Sequence, residues 1–154
     1  MANAQRKPDM TLYERDFHAW ANEQAAALRA RRFDQIDIDN VVEELETLGR
    51  SERHAIENRL EVLLAHLLKW AYQGHKRYGS WRGTIIEQRK RIAKLLRENP
   101  SLKHVPQESL TEVHELARIV AANDSGLDAE AFPADCPFTI DQILDESFWP
   151  EPAG

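Results

Sequence analysis

Glycine, cysteine and long apolar runs are all scarce in this chain, and each scarcity closes a class of function. Only six of the 154 residues are glycine, and no phosphate loop, Gly-x-Gly-x-x-Gly turn or Gly-x-Ser-x-Gly elbow is among them. A single cysteine, Cys136, excludes an internal disulfide and any cysteine-rich metal site, which fits a reducing compartment. It sits between Asp135 and Pro137, and a neighbouring carboxylate works against the thiolate that reactivity needs. No two of the six histidines stand at i+3 or i+4, and the repeated Glu-x-x-His pattern of a di-iron bundle is missing. The most apolar stretch, residues 60–72, is far shorter than the roughly 20 residues that cross a bilayer, and it carries His66 and Lys69. The opening MANAQRKPDM has no apolar core behind its basic residues, so it does not read as a signal peptide. No segment has strand periodicity, and no internal repeat is present. These absences predict a cytoplasmic protein with no membrane span, no metal and no cofactor.

What is present reads as helix throughout. Residues 60–72 are apolar on nearly every side of a helical wheel, the mark of a buried helix. The stripe Val41, Val42, Leu45, Leu48 continues through Ala55, Ile56, Leu60, Leu63, Leu67 and Trp70 at spacings of three and four. It predicts one helix of about 35 residues, capped by Asp37 or Asp39, with two helices meeting at Gly49 as the alternative. Before it, Thr11 and Glu14 form a capping box, and Tyr13, Phe17, Trp20 and Leu28 predict a first helix to about Arg31. After it, Ser80 caps a third helix from Trp81 to the Asn99-Pro100 stop, with Trp81, Ile85, Gln88, Ile92, Leu95 and Leu96 inward. Ser109 and Glu112 form a second capping box, opening a helix that stops at the Asn-Asp-Ser-Gly of 123–126. Thr139 and Gln142 cap a last short helix whose Ile140, Ile143, Leu144, Phe148 and Trp149 dock on the body. The expected architecture is all-α: residues 1–10 a disordered tail, 11–151 a single-domain bundle of four to five helices around a long, largely buried second helix, and 152–154 a short tail.

Charge is unevenly spread. Residues 1–74 carry ten basic and thirteen acidic side chains, residues 75–107 nine and two, and residues 108–154 one and eleven. The basic middle and acidic end are expected to lie against each other and cancel. A basic patch of Lys76, Arg77, Lys90, Arg91, Lys94 and Arg97, interleaved with Tyr78 and Trp81, also has the make-up of a nucleic-acid surface. A catalytic constellation is not readable. His66, inside the apolar helix, beside a carboxylate such as Glu44, has the chemistry of a general base. A core histidine bonded to a carbonyl is the plainer reading, and a buried Gln88 equally asks only for amide partners.

Taken together, LYERDF-x-x-W, EELETLG, HLLKW-x-YQ, SWRGTI-x-x-QR-x-x-I-x-x-LL-x-x-NPSL and FPADCPFTIDQILDESFWPE resemble one group over about residues 11–151. It is the bacterial, all-helical family catalogued as domain of unknown function twenty-nine. Gly74 stands where the family often has proline. The resemblance implies a helical protein without agreed activity or known cofactor. It also implies a polar signature on Glu43, Glu44, His66, Lys69, Trp70, Gln73, Trp81, Arg82, Gln88 and Arg89. A binding groove is therefore expected where the second and third helices meet, drawing on Glu43, Glu44, His66, Lys69, Arg82, Gln88 and Arg89. The leading expectation is a non-enzymatic interaction or regulatory module acting on another protein or on itself. The alternatives are a nucleic-acid-binding regulator using Lys76, Arg77, Arg82, Arg89, Lys90 and Arg91, and a ligand-binding or enzymatic bundle centred on His66 and Glu44.

Overall fold

The computed structural model describes residues 9–76 and 79–153, the side chain of Lys76 excepted. Among the described residues there are six α-helices and no strand. They are α1 (Leu12–Arg15), α2 (Phe17–Arg29), α3 (Ile38–Tyr72), α4 (Gly79–Glu98), α5 (Val105–Ser125) and α6 (Ile140–Leu144). None of these helices is long and apolar enough to cross a membrane. The chain divides into two compact units, Met1–Gly49 and Arg50–Gly154. The long helix is continuous through Gly49 and is 35 residues long, so the alternative of two helices is excluded.

In the first unit the capping box of Thr11 and Glu14 forms as expected, but α1 ends after four residues. Asp16 leaves the helical region at φ −151°, and its carboxylate accepts from the amide of Ala19, opening α2. The single first helix expected to Arg31 is therefore two helices. An Asp at this point satisfies free amides better than it continues a helix. A 3₁₀ turn, Phe33–Gln35, then leads to α3. Of the two candidate caps, Asp37 is the one used: its carboxylate accepts from the Asn40 amide nitrogen and, at 2.8 Å, from the Asn40 side chain. The Asn40 side-chain bond, with help from Trp20, holds the Asp37 carboxyl below its usual range against a smaller effect of burial.

Asp37 also ties α2 to the start of α3. The buried Trp20 donates to it at 3.2 Å, and its amide donates to the buried Gln24 at 2.7 Å. Farther along, the Tyr13 hydroxyl donates to Glu44 at 2.5 Å. From Tyr13 to Gln24 the partners recede from Glu44 to Asp37, so the α1–α2 segment runs antiparallel to the first turns of α3. The pair has one seam, and what faces away from it stays uncovered. Phe17, Leu28, Val42, Leu45 and Leu48, all expected to point inward, are instead 50%, 46%, 45%, 63% and 65% exposed.

In the second unit the apolar stripe of α3 is a true core. Ile56, Leu60, Leu63, Leu64, Leu67 and Leu68 are wholly buried, together with Ile85 and Ile92 of α4, Ala117 and Ala121 of α5, and Ile143 of α6. Val62, expected in the buried run, lies on the outer side of α3 and is exposed. α4 begins at Gly79, so Ser80 is in its first turn and is not its cap. α5 begins at Val105, four residues before the box expected at Ser109. Pro106 explains the early start, because a proline in the first turn needs no partner for a missing N–H. Ser109 is thus inside the helix, where its hydroxyl reaches the Val105 carbonyl and Glu57. Gly126, at φ 70°, terminates α5 in the left-handed region that glycine adopts without strain. Thr139 and Gln142 cap α6 reciprocally, as the sequence predicts.

Candidate functional site

Of the groove residues expected from the second unit, Lys69, Arg82 and Arg89 lie on the last turns of α3 and the first half of α4. Lys69 is buried. Its ammonium is 2.9 Å from Asp124 of α5 and 5.1 Å from the centre of the Trp81 ring. Arg89 is only 1% exposed. Its Nε donates to the Ile143 carbonyl at 2.8 Å and its Nη2 to the Gln142 carbonyl at 3.4 Å, so α4 carries the anchor for α6. Burial works against its charge, with Asp145 and Glu146 acting in the opposite sense. Arg82 is exposed and stacks 4.8 Å over Trp149, which Arg89 also faces at 5.6 Å and which lies 4.8 Å from Trp70. Arg82, Ile86, Arg89, Glu146 and Trp149 line a notch of about 200 Å³. A buried arginine cannot grip a phosphate of a docked duplex, so Arg89 drops out of the nucleic-acid set expected for it. Its guanidinium and the contact of Trp149 with Trp70, tilted at 48°, instead hold the C-terminal segment in place.

The remaining candidates are spread out. Gln88, expected on the inward stripe, is half-buried and accepts from Arg59 at 3.3 Å. His66 is half-buried, and its Nδ1 donates to the Val62 carbonyl at 2.8 Å, the plainer of the two roles open to it. Burial lowers its pKa, and the Lys69 charge adds to that. Glu43 and Glu44 belong to the first unit, where Glu44 accepts from Tyr13 and holds that phenol's pKa up. Arg77 and Tyr78 lie outside the described residues, as does the side chain of Lys76. Lys90 pairs with Glu146 at 3.7 Å, Arg91 with Glu87 at 2.8 Å and Lys94 with Glu98 at 3.7 Å, while Arg97 is exposed. Among the described residues no group of three or more His, Cys, Asp or Glu is placed to hold a metal ion.

Sequence reasoning missed Trp149, Asp124 and Glu146 as partners of the groove residues. The acidic, aromatic ending was the only signal for Trp149 and Glu146, and Asp124 read only as part of the helix stop at 123–126. It also missed the surface that the first unit leaves bare. At about 100° per residue, Ile38, Val42, Leu45 and Gly49 lie within about 60° of one another on α3, and Phe17 and Leu28 nearly coincide on α2. Both sets are turned in the same rotational sense from the seam of Trp20, Gln24, Asp37 and Glu44. In an antiparallel pair this brings them out on one side. Their exposures, from 45% for Val42 to 63% for Ile38 and Leu45, add to roughly 500 Å², within the range of the largest apolar patch on an ordinary monomer, which is often functional. Gly49 continues this face, and a Cβ placed on it would meet nothing within 4 Å. The α3 residues of this unit carry four acidic side chains (Asp39, Glu43, Glu44 and Glu46) and no basic one.

A family model described as "Domain of unknown function DUF29" matches residues 12–149. No curated protein and no solved structure matches the chain.

Proposed function

The chain belongs to the DUF29 family, and from its own structure we propose that it is a non-enzymatic protein-interaction module that docks an amphipathic helix of another protein. The docking surface is the side of the α2–α3 pair formed by Phe17, Leu28, Ile38, Val42 and Leu45. The observation that carries this reading is the exposure of these side chains on one face. A docked amphipathic helix presents an apolar stripe at i, i+3, i+4 and i+7, and this face offers the apolar surface for one. The acidic first turns of α3 choose the occupant: a helix whose stripe is edged by Lys or Arg, not a second copy bearing the same charge. Gly49 lets that helix approach closely where a side chain would hold it off.

Against the nucleic-acid alternative stands the pairing of Lys90, Arg91 and Lys94 with carboxylates. Selection from a displayed library of helical peptides tests the proposal. Recovered sequences should converge on an apolar stripe flanked by basic residues, bind more weakly as salt rises, and lose binding to Leu45→Asp. Convergence on acidic flanks, or equal binding to Leu45→Asp, refutes it. A wild-type dimer in sedimentation that Leu45→Asp dissociates reassigns the face to a second copy.

A further inference from the structure

Along the seam of α3 and α4, within the second unit, two adjoining hollows of about 320 Å³ and 170 Å³ share Ala55 and Arg59. They form one open groove. The first hollow sets Val62 and Asn58 against Gln88, and the second sets Ala55 against Arg91, Lys94 and Glu98, so the helices run antiparallel along it. At about 1.5 Å per helical residue the groove is roughly 10–15 Å long. An extended chain covers that length in about three to five residues. Ala55, Val62 and Leu95 supply its apolar surface. Its polar groups can be reached from outside: Asn58, Arg91 and Lys94 are exposed, and Arg59 and Gln88 are half-buried.

The walls offer bonds of two kinds. Arg59 donates to Gln88 at 3.3 Å through Nη1, and Arg91 holds Glu87 at 2.8 Å through Nε. Among the described residues, Nε and Nη2 of Arg59 and both Nη groups of Arg91 have no partner. A guanidinium matches a carboxylate with paired donors, so each arginine can take one more. Lys94 is 3.7 Å from Glu98, and exposed pairs of this kind are weak. Three cations and one carboxylate, Glu98, therefore line the groove. The second kind of bond comes from Asn58 and Gln88. A carboxamide carries donor and acceptor side by side, the complement of a peptide unit. Glu87 and Glu98 reduce the field that a polyanion would follow, yet leave these donors for single carboxylates. A single-stranded nucleic acid also needs aromatic rings on which its bases stack, and no aromatic side chain lines the groove.

We propose that this groove binds a short acidic segment of a partner protein in extended conformation. Its carboxylates pair with Arg59 and Arg91, its backbone bonds to Asn58 and Gln88, and its small apolar side chains rest on Val62 and Leu95. Glu98 closes one end to a further carboxylate. The groove shares no residue with the α2–α3 face and selects the opposite charge, so the two readings stand or fall separately.

The test pans the immobilised full chain with randomised pentapeptides, too short to form a helix of their own, at about 50 mM and about 300 mM salt. Asp and Glu should be enriched at two or more positions, more strongly at low salt. The best acidic peptide should shift the side-chain amide signals of Asn58 and Gln88 in NMR spectra. Arg59→Gln combined with Arg91→Gln should weaken that peptide about fivefold or more without loss of the cooperative melt. A peptide with Gln in place of each acidic residue should bind the wild type as weakly, which keeps the test decisive if the double variant does not fold. The proposal is overturned if acidic residues are not enriched, if the Gln peptide binds as tightly, or if the shifts fall outside the groove. It is equally overturned if the folded double variant keeps full affinity. A hexathymidylate that binds the groove more tightly than the best peptide reassigns it to single-stranded nucleic acid.

Discussion

Leu45 and Leu63 occupy the same line of α3, about five turns apart, and their fates are opposite: 63% exposed and fully buried. Replacing each with alanine removes identical atoms, so any difference reports what surrounds them. At Leu63 the lost burial and the cavity left behind should cost about 2–5 kcal/mol. At roughly 2–4 °C per kcal/mol for a chain of this size, that lowers the melting temperature by about 4–20 °C. Leu45 keeps about a third of its side chain covered, and full burial of a leucine is worth about 1.5–3 kcal/mol. The expected cost is therefore below about 1 kcal/mol, and helix propensity is nearly unchanged. Thermal melting followed by far-UV circular dichroism, at two protein concentrations, separates the cases. If Leu45→Ala melts as early as Leu63→Ala, the exposed face does not exist in solution and the docking proposal loses its surface. A penalty at Leu45 that grows with protein concentration would identify a second copy as the cover.

Removing the partner of a buried charge should cost more than removing both. Asp124→Ala strands the Lys69 ammonium and should destabilise by about 1–3 kcal/mol, less than for a fully buried pair because Asp124 is half exposed; adding Lys69→Met should recover most of it in urea titrations. Arg89→Leu leaves the Ile143 carbonyl without its donor and should free the C-terminal segment, read as a shift in tryptophan emission and faster proteolysis after residue 139, whereas an unchanged digestion pattern would refute the anchoring role. Gly49→Ala should stabilise by about 0.5–1 kcal/mol, since a Cβ there meets nothing and helix propensity improves, yet weaken binding of the docked helix. His66 and His114 both have pKa values below 6.5 in the fold, so the unfolded chain binds more protons in the interval just under 6.5. Stability from these rings is complete above about pH 6.5 and declines as pH falls through that interval. The lowered carboxyls of Asp37, Glu57 and Asp145 add a second decline only below their unfolded values, near pH 4. Urea midpoints at about pH 7.5 and about pH 5.5 should differ in the wild type and converge when both histidines are replaced by glutamine.

Local chemistry was legible wherever one signal acted alone. The capping boxes at Thr11 and Thr139, the glycine stop at Gly126 and the all-helical class follow from residues within a turn of one another. Where two local signals competed, the sequence could not arbitrate. Pro106 and the box at Ser109 both announce a helix start, and the earlier one prevails, leaving the Ser109 hydroxyl to the Val105 carbonyl and to Glu57, far away in sequence. Asp16 interrupts a stripe that otherwise reads as one helix.

By itself the sequence determined that α3 exists, how long it is and which of its residues share a side, because helical periodicity is a property of the backbone alone. Only the tertiary structure decided that this side is core beyond Arg50 and bare surface before Gly49, and that Lys69 and Arg89 are buried cations with partners more than fifty residues away. Periodicity states which side chains point together, but burial depends on what lies opposite, and that is settled by chain segments distant in sequence.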